Sequence, residues 1–156
     1  MRKNGQTKRV LTAAFGIALG ASMLTASPAA AAQQIAHTCV GEEVIRCANV
    51  EMTKPGVFNA HARVTDSEGG GDYEVRVRAV YLETLRDGIW WTVAESYPEH
   101  DPWEPVQDVE RTASWACKSS EQVRIRAKVS LEWQDENYVG NAGILYSNNV
   151  KVCPRA

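Results

Sequence analysis

Apolar and polar residues alternate along much of this chain with a period of two, which is typical of β-strands. The clearest stretch runs from Val123 to Trp133, where apolar side chains at the odd positions alternate with Arg, Lys, Ser and Glu at the even ones. Two more stretches alternate in the same way. They predict core rows of Phe58, Ala60, Ala62 and Val64, and of Tyr73, Val75, Val77, Ala79 and Tyr81. Such a pattern indicates a sheet with one buried face and one face in water.

Turn-forming residues separate these stretches from four weaker runs. The weaker runs are Glu43–Thr53, Ile89–Ser96, Asp108–Cys117 and Ile144–Val152. Asp87-Gly88 predicts a tight hairpin, residues 118–121 predict another, and the glycine-rich segments 65–72 and 137–143 predict connections. About seven short strands without a helical window predict an all-β fold. We expect one antiparallel β-sandwich of immunoglobulin-like architecture, with a small β-barrel as the alternative.

The first 32 residues have the three parts of a secretory signal. Residues 1–9 carry four basic side chains and no acid, residues 10–24 carry no charge, and a small-residue segment with Pro28 follows. The apolar run of 15 residues is shorter than the roughly 20 that a spanning helix needs. We therefore expect cleavage between Ala32 and Gln33, and a secreted protein that consists of a single domain over residues 33–156.

The charge of the exported part differs from that of the whole chain. The chain has a formal net charge of −2, and loss of the four basic residues in the signal leaves −6 for the remaining 124 residues. An acidic domain is unlike nucleic-acid binders, which usually present a basic face. Since no second apolar segment follows the signal, no membrane partner is expected after cleavage.

All four cysteines lie in the exported part, where an even number predicts disulfides. Their spacings of 8, 70 and 36 residues match no zinc-ligand pattern. If the last three strands form an antiparallel meander, Cys117 and Cys153 meet at one pole. Cys39 then pairs with Cys47 and closes a small loop around Gly41.

No residue pattern in the chain indicates catalysis or a metal centre. The motifs G-x-S-x-G and H-E-x-x-H and the phosphate-binding P-loop do not occur. His61 lies opposite a predicted core row and should point into solvent, and His100 lies in a loop. Asp66, Glu68 and Asp72 have the ligand type that calcium prefers, but their spacing is not that of an EF-hand and the glycines beside them indicate a flexible turn. We expect a protein that is not an enzyme and has no cofactor and no metal.

The most unusual segment of the chain is the loop from Tyr97 to Val106, which contains three prolines. Its prolines restrict the backbone, and restricted loops lose less entropy on binding. Trp90 and Trp91 are adjacent, so in a strand they face opposite ways, one in a core and one outside or in a second core face. An exposed Trp near Glu95 and Glu104 could stack on a sugar ring. The candidate partner-binding residues are Tyr97, His100, Trp103, Glu104, Trp90 and Trp91. The alternative is that Trp103 caps the core and that both faces of the strand bury a tryptophan.

The signal, the alanine-rich cleavage site, the tryptophan-rich strands and the two-disulfide plan resemble small secreted β-proteins of filamentous actinobacteria. One such group comprises secreted inhibitors of proteases or glycosidases. The other is the adaptor subunit of the umbrella toxin particles. In those particles an exported adaptor links a large spoke-like toxin subunit to a lectin-bearing, protease-like subunit. The resemblance covers the chain as a whole and carries over no individual residue.

The sequence therefore favours a non-enzymatic extracellular protein–protein interaction module, with an adaptor subunit of a secreted toxin complex as the form that the resemblance implies. Its expected partners are other secreted proteins. A secreted inhibitor of a protease or glycosidase is the second alternative, and a carbohydrate-binding module is the third.

Overall fold

A computed structural model describes residues 32–153 of the chain. The predicted signal lies outside the described residues, except for its last residue, Ala32. Within the described part, no helix is long and apolar enough to cross a membrane.

Two antiparallel sheets contain all ten strands of the described residues. The first sheet contains β1 (Gln33–Val40), β2 (Val44–Lys54), β3 (Val57–Asp66), β6 (Gln107–Arg111) and β7 (Trp115–Ala116). The second sheet contains β4 (Tyr73–Arg86), β5 (Ile89–Ser96), β8 (Val123–Asp135), β9 (Gly140–Tyr146) and β10 (Val150–Val152). The sheets pack face to face and share no paired strand within residues 32–153, so the predicted β-sandwich is confirmed and the alternative of a closed barrel is wrong.

The strand order places the longest strands at the centre. The first sheet runs β1–β2–β3–β6, with β7 paired to the beginning of β3, and the second runs β10–β8–β4–β5, with β9 also paired to β8. β4 and β8 pair over almost their whole length. The Asp87-Gly88 hairpin is confirmed, because it joins β4 to β5 with positive φ at both residues.

The core lies between the sheets and consists of the alternating rows that face inward. The first sheet contributes mainly small side chains and the second mainly branched ones, so the two faces interdigitate. The first sheet supplies Ala48, Val50, Phe58, Ala60, Ala62 and Val64, and the second supplies Val75, Val77, Val80, Leu82, Ile125, Ala127, Val129 and Leu131. The core rows predicted for β3 and β8 are thus confirmed, with Trp133 partly buried at the end of the β8 row.

A β-bulge changes the predicted core row of β4. The pairing with β8 shifts register between Val77 and Ala79, so one extra residue, Arg78, is inserted in β4. Before the bulge, Val77 faces the core as predicted. After it, Val80 and Leu82 face inward, whereas Tyr81 lies on the outer face of the sheet. The prediction that Tyr81 shares the core row is therefore wrong, since strict alternation does not survive an inserted residue.

The number and bounds of the strands also differ from the prediction at four places. The structure has an additional first strand, β1, that the weak alternation of its residues did not indicate. The run 108–117 is divided into β6 and β7, and the run 144–152 into β9 and β10. β9 begins at Gly140, within a segment predicted as a connection, because the turn before it is shorter.

Both disulfides of the described residues join the predicted partners. Cys39 and Cys47 are directly opposite each other in the β1–β2 hairpin, and Cys117 is bonded to Cys153. The meander from which the second bond was predicted is wrong. Because β7 belongs to the first sheet and β8 to the second, residues 118–121 cross between sheets and do not form a hairpin. The pairing is still right, because the ends of β7 and β10 lie at the same pole of the sandwich.

Candidate functional site

The outer face of the second sheet carries a group of aromatic rings in contact with cationic side chains. Five rings and three cations form this surface, which we term the aromatic–basic face: Trp90, Trp103, Tyr81, Tyr97 and Tyr146, with Arg76, Arg126 and Lys128. The residues come from β4, β5, β8 and β9 and from the loop after β5. Their side chains project away from the core because they alternate with its inward rows.

Arg126 lies between two rings at the end of this face nearest the β4–β5 hairpin. Its guanidinium carbon is 4.1 Å from the ring centroid of Trp90 and 4.2 Å from that of Tyr146. Its Nε also donates to a carboxylate oxygen of Glu83 at 2.7 Å. The ion pair and the two stacked rings hold the guanidinium in one orientation, and contacts of this kind contribute about 0.5–2 kcal/mol each.

Two tyrosines continue the face along β4. The rings of Tyr81 and Tyr97 meet edge to face at 5.5 Å, and the ammonium group of Lys128 lies 5.0 Å from the Tyr81 centroid. The neighbouring Tyr81 phenol is the main cause that raises the pKa of Tyr97 to about 12, so its hydroxyl stays protonated as a donor to Glu95. Tyr97 is 53% exposed, so about half of this residue is open to solvent.

Trp103 forms the end of the face nearest the beginning of β4. Its ring lies 4.1 Å from the guanidinium carbon of Arg76, which also pairs with Glu132 at 2.6 Å. Trp103 is half-buried and does not belong to the core cluster. The alternative in which Trp103 caps the core is therefore wrong, because it packs against a charged outward row.

Three of the six candidate residues, Trp90, Tyr97 and Trp103, thus meet on one face. The other three do not belong to it. Trp91 pairs with Thr84 on the opposite side of β5 and is 56% exposed, and His100 is exposed in the loop. The backbone of Glu104 exchanges two hydrogen bonds of 2.9 Å with Val75, which anchors the loop along the edge of β4.

Neither adjacent tryptophan is in the core, contrary to the prediction for β5. Trp90 lies on the outer face and Trp91 on the inner side, as opposite orientations require. The inward-facing row of β5 reaches the core only at Val93 and Ala94. Trp91 lies near the hairpin end of the edge strand β5 and is 56% exposed, whereas Thr84 opposite it on β4 is buried.

The residues that complete the face are not among the six candidates. The alternation of β8 places Arg126 and Lys128 on its solvent-facing side, and Tyr146 lies in a run that alternates only weakly. One signal in the sequence does point to two of these residues. Arg126 and Lys128 are two positions apart in β8, so the alternation of the strand places both on the same outward face. What no pattern showed was that Tyr81 joins them after the bulge.

The carboxylates of the glycine-rich loop lie at one pole of the sandwich. Asp66 is buried at the end of β3, and its Oδ1 accepts a hydrogen bond from the backbone N–H of Glu68 at 3.1 Å. Asp72 is exposed before β4. Among residues 32–153, no group of three or more His, Cys, Asp or Glu side chains is arranged to hold a metal ion.

His61 lies on the outer face of the first sheet, but it is not in open solvent as predicted. Its Nδ1 is 2.8 Å from Glu51 Oε1, and both side chains are only 12% exposed. Arg111 donates to the second oxygen of Glu51 at 3.2 Å. Burial lowers the pKa of His61 from its ordinary value, and the attraction of Glu51 offsets part of this effect. The Nε2 atom contacts no hydrogen-bond partner among the described residues, so no nucleophile is aligned with this pair.

The loop after β5 contains one carboxyl group with a perturbed proton affinity. Burial raises the pKa of Asp101 to about 6, and the carboxylate of Asp108 adds to the shift. Asp108 itself accepts hydrogen bonds of 2.6 Å from the backbone N–H groups of Val77 and Val109, and the bond from Val77 joins the two sheets at the β4 bulge. The loop therefore contains a partly buried carboxyl group close to a second carboxylate.

A cleft of about 690 Å³ lies at the opposite pole, beside the Cys117–Cys153 disulfide. The described residues that line it include Arg86 and Lys118 but no carboxylate and no imidazole. Histidine and carboxylate side chains are the commonest general bases, and they must lie within hydrogen-bond reach of the substrate. The cleft thus lacks the usual acid–base residues, and the aromatic–basic face remains the most developed surface.

Comparison with known proteins finds no family model that matches this chain and no curated protein that matches it.

Proposed function

We propose that this chain is a secreted, non-enzymatic protein–protein interaction module that binds its partner through the aromatic–basic face, as an adaptor in an extracellular complex. The observation that carries the proposal is the position of Arg126 between Trp90 and Tyr146. Trp, Tyr and Arg are the residues that most often supply the binding energy of protein interfaces. The two disulfides fit an oxidising, extracellular environment.

Preorganisation supports this interpretation of the face. Long charged side chains lose conformational entropy when they are fixed at an interface. Arg126 and Arg76 are already held by a ring and by a carboxylate before any partner arrives. A partner would therefore meet a surface whose geometry is already set, so less of the contact energy is lost to ordering.

The same contacts make a sugar-binding face a weaker alternative. A sugar ring stacks on a free aromatic face, but one face of Trp90 and one of Tyr146 are covered by the Arg126 guanidinium. Trp91 is more exposed, yet it lies on the other side of β5. The inhibitor alternative is weaker too, because the proline-rich loop is attached to β4 through Glu104 and does not project freely.

Affinity capture tests the proposal. The exported protein is immobilised and exposed to culture medium from the organism that produces it, and in parallel it is mixed with insoluble cellulose and chitin. We expect a co-secreted protein to be retained at a fixed ratio and no retention on either polysaccharide. Binding to a polysaccharide without a protein partner would contradict the proposal, and capture of a hydrolase that loses its activity would support the inhibitor instead.

A further inference from the structure

The free edge of β9 differs from the other edges of the sandwich. Edge strands usually carry charges, prolines or bulges that prevent pairing with another chain. β6 contains charged residues, β10 is short and contains Lys151, and β1 and β5 each contain a register shift. β9 has seven residues, Gly-Asn-Ala-Gly-Ile-Leu-Tyr, with no charge, no proline and an unbroken register.

The direction of the backbone groups of β9 follows from the hydrogen bonds at its two ends. Ser147 N–H donates to Ala127 O at 3.0 Å, and Asp135 N–H donates to Val139 O at 3.3 Å. Hydrogen-bonded pairs alternate along an antiparallel ladder. The residues of β9 that bond to β8 are therefore 141, 143 and 145, and the N–H and C=O groups of residues 140, 142, 144 and 146 point to the free edge.

We propose that this edge pairs with the β9 strand of a second copy of the chain in an antiparallel dimer. The two-fold axis passes midway between the two copies of Gly143. In this register Ala142 of one copy faces Ile144 of the other, and Gly140 faces Tyr146. Each of these positions points its N–H and C=O outward, so both pairs exchange two hydrogen bonds, and the symmetry repeats them.

The side chains fit the same register. All four positions are on the outer face of the sheet, and each pair joins a small residue to a large one. The larger members, Ile144 and Tyr146, are 60% and 40% exposed in the single chain, and they gain a neighbour across the axis. Since β9 carries no charge, self-pairing brings no like charges together. A single strand pair is smaller than the roughly 1,200 Å² of a standard interface, so we expect a weak, concentration-dependent dimer.

Sedimentation velocity of the exported protein over a wide concentration range tests this dimer. Wild type should shift from one protomer mass to two. Ala142→Pro removes an outward N–H without breaking any β8–β9 hydrogen bond, and Ile144→Lys adds a charge, so both should stay monomeric. Ile89→Lys, at the opposite edge of the same sheet, is the matched control and should still dimerise. Circular dichroism confirms that each variant is folded.

A cysteine cross-link tests the register. Residue 143 faces itself across the axis at a non-hydrogen-bonded pair, where Cα atoms are about 4.5 Å apart and a disulfide can form. A Cβ at Gly143 meets only ordinary contacts with Trp133 and Arg46. Gly143→Cys should give a covalent dimer on mild oxidation, whereas Asn141→Cys should not, because its two copies lie about 14 Å apart. A monomer at all concentrations, or a dimer that survives both Ala142→Pro and Ile144→Lys, would overturn the proposal.

Discussion

The outward-facing arginines of the second sheet are held in place by rings and carboxylates. Arg126 and Arg76 each combine a stacked ring with an ion pair, and their side chains are only 22% exposed. In such a position a long charged side chain covers apolar surface while its guanidinium remains near solvent. The outer face of the sheet is thus more ordered than its composition of charged residues suggests.

Protonation of His61 should destabilise the fold as the pH falls. Its pKa is lowered in the folded state, so the unfolded chain binds the proton more tightly, and stability is lost as pH falls from above 6.5 through the lower, folded value. Relative to His61→Gln, in which this position does not titrate, wild type should lose unfolding free energy in urea titrations between pH 7.5 and 5.5. His100→Gln is the control, because that residue is exposed. An equal decrease in wild type and His61→Gln would contradict this assignment.

Asp101 should have the opposite dependence. Its pKa is raised from 3.8 to about 6 in the folded state, so the folded protein binds this proton more tightly than the unfolded chain does. The resulting stabilisation is fully present below pH 3.8 and is lost as the pH rises through about 6. Asp101→Asn should therefore raise the melting temperature at pH 7.5 and have a smaller effect at pH 4. Asp72→Asn, at an exposed position, should leave the melting temperature unchanged at both pH values. A melting temperature that falls at pH 7.5 in Asp101→Asn would show that the carboxylate itself stabilises the loop.

At the scale of single elements, alternation predicted the strands that are regular and failed where a strand is interrupted. The row from Val123 to Trp133 was correct because β8 has no inserted residue. The row through Ala79 and Tyr81 failed because an extra residue at Arg78 reverses the side of all that follows. A bulge is defined by how one strand pairs with its neighbour, and the alternation of residues within a single strand contains no information about that pairing.

The same limit applies to the candidate site. Trp90, Tyr97 and Trp103 were selected for their residue type, and they share one surface. Their neighbours Arg126 and Tyr146 come from strands more than 20 residues away, so only the sheet order brings them together. Trp91 and His100 are candidates on the same ground of residue type, but they do not lie on this face. The side of the edge strand that Trp91 occupies and the direction of the loop that holds His100 both depend on tertiary packing.

At the scale of the whole molecule, the two disulfides should differ in their effect on stability. Cys117–Cys153 spans 36 residues and joins the two sheets, whereas Cys39–Cys47 spans 8 residues within one hairpin. In the chain-entropy model these closures contribute about 3.8 and about 2.5 kcal/mol. Replacing both members of the longer bond with alanine should therefore cost more unfolding free energy than replacing both members of the shorter one. Denaturant titration measures the difference, and the reverse order would show that native-state strain or hairpin pairing dominates.

Substitutions within the aromatic–basic face test whether it binds a protein partner, as proposed. The most direct measurement is the affinity of the captured partner for folded single variants, determined by biolayer interferometry. Trp90→Ala and Arg126→Ala should each weaken binding by about 2 kcal/mol, or roughly 30-fold, as for an interface hot spot. Arg63→Ala, at an exposed position on the outer face of the first sheet, should leave affinity within about threefold of wild type. Unchanged affinity in both Trp90→Ala and Arg126→Ala would contradict the account and move the binding site away from this face.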